Sequence, residues 1–412
     1  MNIESTEKHN ITVIKWLTFL MFMMFAMTTD SVGVIIPEII KEFNLSNVAA
    51  GAFHYVPMTA IALAAIFLGY LADKLGRKKT IVLGLVLFAL NSYLFAAGNS
   101  FLFFLTLLVI SGASIGIFKT GALALVSDIS RSTSEHTTTM NIVEGFFGVG
   151  AIIGPAIVAK LLLAGLSWKW LYVIAGTICI LLIVTALLVK YPKTVKTTDE
   201  PINFKRTMGM MKNPYALGFS LAIFLYVAAE CAVYVWLPKY LKGYSGSFPL
   251  LATYSVSVFF ILRAVGRFLG AWVLKRFNWT AVMALFSLAI LICFVGGTAG
   301  GLSFAVWLFP LSGLFMSMIY PTLNSKGISC FAKTEHGAVS GVILFFTCTA
   351  AALGPLAIGA VSDAFGDLRY GFVLATIFAA LLFAGLLINW MYDPARKRLA
   401  RLDSSEYSAS ES

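Results

Sequence analysis

Apolar runs of about 20 residues recur along the whole of this 412-residue chain, each long enough to cross a hydrocarbon core of about 30 Å as a helix. Nothing else in the sequence restricts the fold as much, because backbone inside lipid must satisfy its own polar groups and only helices or closed barrels do so. A barrel would show segments of about ten residues with alternating hydrophobicity, whereas the runs here are continuous. Twelve spans are predicted, near 14–37, 48–71, 80–97, 101–127, 139–163, 169–190, 214–240, 248–272, 278–300, 303–329, 336–362 and 370–391. With 59% hydrophobic and 12% charged residues, the chain falls outside the range of soluble domains, and the prediction is an all-α membrane protein. The first run is too long for a cleaved signal and lacks a small-residue cleavage site.

The formal charge of +11 raises nucleic acid as a partner. Placed on the predicted topology, however, roughly twenty of the 30 basic residues fall on one side, among them Lys74, Arg77, Lys78, Lys79, Lys205, Arg206, Lys275, Arg276 and the cluster from Arg396 to Arg398, and only about six on the other. That asymmetry is the positive-inside signature: it predicts both termini in the cytoplasm and excludes a nucleic-acid role. The five cysteines (Cys179, Cys231, Cys293, Cys330 and Cys348) lie in or at the ends of apolar runs without CxxC spacing, so they read as packing residues, with neither a disulfide nor a metal site expected.

The interval YPKTVKTTDEPINFKRTMGMMKNP, residues 191 to 214, is the one long polar stretch. It predicts a first bundle of six helices (1–190), a linker (191–213), a second bundle (214–392) and a polar tail (393–412). At an offset of about 200 residues the halves match in three places: GAIIGP at 150 with AALGP at 351, SGASIGIFK at 111 with SGLFMSMIY at 312, and Asp30 before Pro37 with Glu230 before Pro238. Such a repeat predicts two bundles related by a pseudo-twofold, with a site near the midplane between them. In that arrangement spans 1, 4, 7 and 10 line the centre.

The loop GYLADKLGRKK (69 to 79) resembles the signature loop of the major facilitator superfamily, with its glycines, aspartate and consecutive basic residues. The resemblance implies a gating latch formed by Gly69, Asp73, Gly76 and Arg77, with Arg267 assigned to it from the second half. Asp73 is expected to face Arg77 and the N-terminus of a neighbouring helix. The second copy, GRFLGAWVLKRFNW at 266, has Leu274 where the aspartate would be. Three further segments, NIVEGFFGVGAIIGP (141 to 155), FLYVAAECAVYVWLP (224 to 238) and RAVGRFLG (263 to 270), are similar to the fucose and glucose permease branch of sugar and proton symporters. That branch often carries an acid in the fourth span where this chain has Lys119.

A charge at the centre of a spanning helix costs roughly 2.5–3.5 kcal/mol, so those that persist tend to be functional. Six are predicted here: Asp30, Glu144 and Glu230 against Lys119, Arg263 and Arg267, a neutral set. At about 1.5 Å per residue, Lys119 lies roughly 12 Å, Glu144 roughly 8 Å and Asp30 roughly 24 Å from the cytoplasmic ends of their helices. Lys119 is therefore expected to face a central cavity and to pair with Glu144 or Asp30, and any of the three acids is a candidate proton carrier. Arg263 is the candidate for gripping an anionic or hydroxyl-rich solute, with Asn141, Tyr226, Tyr234, Trp236, Tyr320 and Asn324 as hydrogen-bonding and aromatic groups. His54 and Lys326 lie near helix ends and are expected to be solvated.

GASIG at 112 satisfies a hydrolase motif but lies within a predicted membrane helix with no strand before it. It reads instead as a small-residue packing surface. With neither a phosphate loop nor metal-spaced histidines, an enzyme or ATP-driven pump has little support and no cofactor is expected. The expected partners are a small-molecule substrate, a proton and the bilayer. The expectation is a plasma-membrane secondary transporter, acting as a monomer and moving a small polar solute, most simply a sugar, by alternating access with proton coupling. The alternatives are uptake of an organic anion such as a sugar acid, export of drugs or other amphiphiles, and a receptor or scaffold that transports nothing.

Overall fold

The computed structural model describes residues 3–45, 47–192 and 208–407. Lys205, Arg206, most of the 191–213 linker and the last five residues of the tail lie outside the described residues. Among the described residues there is no strand, and twelve helices are long and apolar enough to span a membrane. They are α1 (Asn10–Phe43), α2 (Gly51–Leu68), α3 (Arg77–Ala97), α4 (Phe101–Asp128), α5 (Thr133–Leu163), α6 (Trp170–Leu188), α7 (Pro214–Gly243), α8 (Ser255–Arg276), α9 (Trp279–Ala299), α10 (Leu302–Ser329), α11 (Lys333–Phe365) and α12 (Leu368–Tyr392). A short amphipathic helix, α13 (Arg396–Leu402), follows.

Helix ends follow local chemistry. Ser100 accepts the Phe103 N–H at the start of α4, Asn278 accepts that of Thr280 at α9, and Asp367 that of Arg369 at α12, each satisfying an amide the helix leaves over. Asn44, at φ 51°, ends α1 in the left-handed region. The eighth span starts later than its apolar run, at Ser255 in place of 248, because Pro249–Thr253 forms a separate turn of helix.

Three spans are interrupted inside the membrane. α1 breaks at Asp30–Ser31, between helical pieces Ile3–Thr29 and Val32–Phe43. α7 takes a π-helical turn over Ala232–Trp236, and α10 breaks after Met316, resuming at Ile319. Backbone irregularity at membrane depth is tolerated where side chains re-satisfy the freed groups. At the first break they do: Thr28 donates to the Phe25 carbonyl and Ser31 to that of Met27.

The contacts fall into two units. The first comprises Met1–Arg131, Phe146–Asn213 and Phe331–Cys348. Inside it α4 packs on α2 and α3, and α6 on α3 and α1, around an aromatic core in which Phe95 stacks on Tyr172 at 3.7 Å beside Phe53, Phe104 and Trp168. Gly150 and Gly154 of α5 lie so close to the Met23 and Met27 carbonyls of α1 that a Cβ would come within 2.1 Å of each. The second unit comprises Ser132–Gly145, Pro214–Cys330 and Thr349–Ser412. There α10 packs on α8, α9 and α7, and α12 on α9 and α7, and Gly354 of α11 lies against Ala228 of α7. The matched GAIIGP and AALGP segments thus do the same work, bringing a late helix of each half against its first.

Candidate functional site

Gly76 has φ 87°, a conformation that costs glycine little and other residues much, and it turns the chain from the 69–75 segment into α3. This turn sets Arg77 beside Asp73, and the two form an ion pair, both under 5% exposed. Asp73 also accepts the N–H groups of Gly337 and Ala338, each at 3.0 Å, in the opening turn of the regular helix His336–Phe365, where the helix dipole favours an anion. Arg77 donates in addition to Asp128 at 2.8 Å and to the Ala72 and Lys333 carbonyls at 2.9 and 2.7 Å. Burial pushes the Asp73 carboxyl above its ordinary value, while Arg77 and the two amides pull the other way. The approach depends on small residues. A Cβ on Gly341 would lie 2.4 Å from the Ala65 carbonyl oxygen, and one on Gly337 would lie 2.7 Å from the Asp73 carboxylate; Gly69 faces Gly341 at the same crossing.

Elsewhere in the first unit, Lys119 is half-buried on α4, its ammonium 4.6 Å from the ring centre of Phe147 and 5.7 Å from that of Phe22. No ion pair reaches it from a described carboxylate. Two π faces offset part of the burial cost of a lysine. Asp30, at the α1 break, accepts a 2.7 Å hydrogen bond from Thr29.

The second unit gathers most of the residues singled out by sequence. Arg263 and Arg267 occupy successive turns of one face of α8 and take one acid each. Arg263 Nε lies 2.9 Å from Glu230 Oε1, and Arg267 Nη2 lies 3.3 Å from Glu144 Oε2. Arg267 also donates to the Glu144 carbonyl at 2.7 Å. Arg267, grouped with the latch from sequence, is therefore paired with Glu144, and Arg263, the candidate for gripping a solute, with Glu230. The Tyr226 hydroxyl sits 2.5 Å from Glu230 Oε1 and 3.0 Å from the Met316 carbonyl oxygen at the α10 break, and its ring stacks on Tyr320 at 6.5 Å. Asn324 donates to the Tyr320 hydroxyl at 3.3 Å, and Asn141 to the Thr137 carbonyl. The amide oxygens of both asparagines are buried without a hydrogen-bond partner. Tyr234 meets Cys231 at 2.8 Å, and Trp236 donates to the Pro355 carbonyl.

The close fit of α8 explains RAVGRFLG. A Cβ on Gly266 would come within 2.4 Å of Ser317, and one on Gly270 within 2.3 Å of Met318, so α8 rides directly on the broken part of α10. Sequence reading missed Asp128, which sits 51 residues from Arg77 with no local signal, and the π turn that follows Glu230. The two residues placed near helix ends differ. Lys326, expected to be solvated, is only 6% exposed, because the tail and α9 cover that end of α10. His54, also expected to be solvated, is half-buried.

These features fit what comparison with known proteins finds. The family model of the Major Facilitator Superfamily matches residues 18–355. The chain is similar to the L-fucose-proton symporter of Escherichia coli (strain K12), 27% identical over 410 residues, covering 89% of this chain and 90% of that one. It is also similar to the glucose/galactose transporter of Brucella abortus biovar 1 (strain 9-941), 23% identical over 386 residues, covering 89% and 92%. Among solved structures, that of FucP, a transporter of the same superfamily, in the outward conformation matches with a TM-score of 0.79 at 22% identity, covering 92% of this chain and 99% of that one. With the signature loop, twelve helices and a family match over most of its length, this chain belongs to the Major Facilitator Superfamily.

Proposed function

We infer that this transporter couples entry of a small neutral sugar to entry of a proton by alternating access. The observation that carries this reading is the Glu230 cluster: a buried carboxylate shared between Tyr226 and Arg263, beside a π turn in α7 and a break in α10. Protonating Glu230 cancels its attraction for Arg263, so one proton changes how α7 is held to α8. Glu144 and Arg267 form a second such pair between α5 and α8. Asn141, Asn324, Tyr234 and Tyr320 bring amide and aromatic groups suited to hydroxyls, and the two relatives whose names carry sugars support the solute class. Each 100 mV of potential supplies roughly 2.3 kcal/mol per charge, about a 50-fold gradient per coupled proton.

In this reading the protein lies in the plasma membrane, a bacterial inner membrane, with both termini and the 69–79 loop in the cytoplasm. It works as a monomer whose halves, 1–190 and 214–392, rock about the 191–213 linker, with the 393–412 tail on the cytoplasmic face. The Asp73 latch holds one gate shut. A second reading, uptake of a sugar acid, draws on Lys119, whose charge no described carboxylate balances. Proteoliposome uptake of L-fucose, D-galactose, D-glucose and D-galacturonate, with and without a pH gradient, separates the two. Accumulation of a neutral sugar only under an inward proton gradient is expected; uptake indifferent to the gradient sinks the coupling, and preference for galacturonate transfers the case to the second reading.

A further inference from the structure

A cavity of about 340 Å³ opens within the second unit, where α8 hands over to α9. We propose that it is a binding site for a neutral, hydroxyl-rich molecule of monosaccharide size, separate from the Glu230 cluster and independent of which solute is transported. Its volume lies in the range of small-molecule sites, about 300–1,000 Å³. Its walls include Leu274, Trp279, Lys326, Thr133, Asp393 and Asp403.

The walls carry unmet hydrogen-bonding capacity of both kinds. Lys326 is 6% exposed, and its three N–H donors find two long contacts to Thr133, at 3.4 and 3.5 Å, while the ammonium lies 5.8 Å from the ring centre of Trp279; no ion pair joins it to a described carboxylate. Asp393 contributes a carboxylate oxygen that is buried without a hydrogen-bond partner. A buried donor and a buried acceptor left under-satisfied on one cavity call for a ligand that supplies both, as adjacent hydroxyls do. Trp279 adds an aromatic wall, stacked on Phe219 at 6.3 Å and overlain by the Lys326 ammonium, whose indole edge gives the apolar C–H groups of a small ligand a surface to pack against. Charge selects the neutral form, since Lys326 and Arg396 are balanced by Asp393 and Asp403 around the same space.

The repeat explains why there is room. In the first half, Asp73 and Arg77 fill the corner between the second and third helices and hold the amides of Gly337 and Ala338. In the second half the corresponding residue is Leu274, and four positions on, where Arg77 stands in the first, is Asn278. The guanidinium is missing, and the amide of Thr133 is taken instead by Asp403 of the tail at 2.8 Å. The space left over is the cavity, roofed in part by α13.

The test uses the purified full chain in detergent and its tryptophan fluorescence, titrated with L-fucose, D-galactose, D-glucose, D-galacturonate and inorganic phosphate. At least one neutral sugar is expected to give a saturable change that Trp279→Phe removes and that Glu230→Gln leaves in place. Asp393→Asn and Lys326→Gln are each expected to raise the half-saturating concentration roughly tenfold, the effect of one good hydrogen bond. Lys326 is buried, so if its variant does not fold the half-exposed Asp393 carries the test alone. Absence of any Trp279-dependent signal with the three neutral sugars overturns the proposal, as does stronger binding of galacturonate or phosphate. A signal abolished by Glu230→Gln and kept in Trp279→Phe and Asp393→Asn belongs to the transport cluster and overturns it too.

Discussion

Arg267 of α8 holds Glu144 of α5 twice, through the side-chain carboxylate at 3.3 Å and through the backbone carbonyl at 2.7 Å. The guanidinium is 1% exposed, and its Nε and Nη2 make no hydrogen bond, so the carboxylate contact is an ion pair and the carbonyl contact the hydrogen bond. Removing one member of such a pair strands the other charge, whereas replacing both with apolar groups of similar size can be neutral. Glu144→Gln and Arg267→Met are each expected to destabilise the protein by about 3–5 kcal/mol, and the double variant with Glu144→Met to recover most of that loss. Thermal unfolding in detergent checks this; additive losses in the double variant would count against it.

Glu230→Gln keeps the shape and removes the charge. Counterflow exchange of the substrate is expected to survive, while accumulation driven by a pH gradient falls at least tenfold, which corresponds to about 1.4 kcal/mol of lost driving force. A variant that accumulates normally would exclude Glu230 as a coupling residue.

Lys119 rests between two phenyl rings. Lys119→Met is expected to change stability by no more than about 2 kcal/mol, the range of a desolvated cation–π contact, yet to cut transport at least tenfold. Full activity with a lowered melting temperature would show a packing role alone.

Gly341→Ala places a Cβ 2.4 Å from the Ala65 carbonyl oxygen, which forces α2 and α11 apart and lengthens the contacts of Asp73 with Gly337 and Ala338. Uptake is expected to lose maximal rate with little change in half-saturation, because the gate and not the binding groups is altered. Asp73→Asn is expected to do the same. Kinetics that move half-saturation alone would contradict a gating role.

Cys330 lies between α10 and α11, fully buried, with its carbonyl held by Arg398 of α13. Burial pushes its thiol from 9.0 up to about 12. A raised folded-state value means that its contribution to stability is present below pH 9 and lost as pH rises toward 12. In a chain keeping only this cysteine, maleimide labelling at pH 8 is expected to be slow, and Arg398→Ala, which loosens the tail, to accelerate it about tenfold or more. Rapid labelling of the parent would refute the burial.

The twelve spans were legible because a run of apolar residues is the strongest signal a sequence carries about lipid. The ends were less so: the start of α8 depended on Pro249, whose turn of helix carries the apolar run outward past the break at Tyr254. Height along a helix was readable from its rise, and it identified the buried charges. Azimuth was not, since α4 is apolar on nearly all sides and the consecutive polar residues 133–139 of α5 point in every direction around its axis, so nothing marks the inward face. Lys119 was thus matched by height to Glu144, with Asp30 as the more distant alternative, while the partner of Glu144 is an arginine 123 residues further on. The latch was readable as a loop motif, but its second acid, Asp128, belongs to a different helix and carries no motif. The π turn was invisible because it is a property of backbone hydrogen bonding in a segment of ordinary apolar residues.

Arg263 and Arg267 are four residues apart, so they sit almost above one another on a single helical face, separated by about 6 Å of rise and about 40° of rotation. Both carboxylates are therefore tethered to the same spindle. A turn of α8 about its axis by one residue's angle, about 100°, would withdraw both guanidinium groups together, whereas neutralising one acid leaves the other still gripping. Under the proposed coupling, release would be a two-key lock, and the steepness of transport against pH would report whether one proton or two must be inserted before the spindle turns.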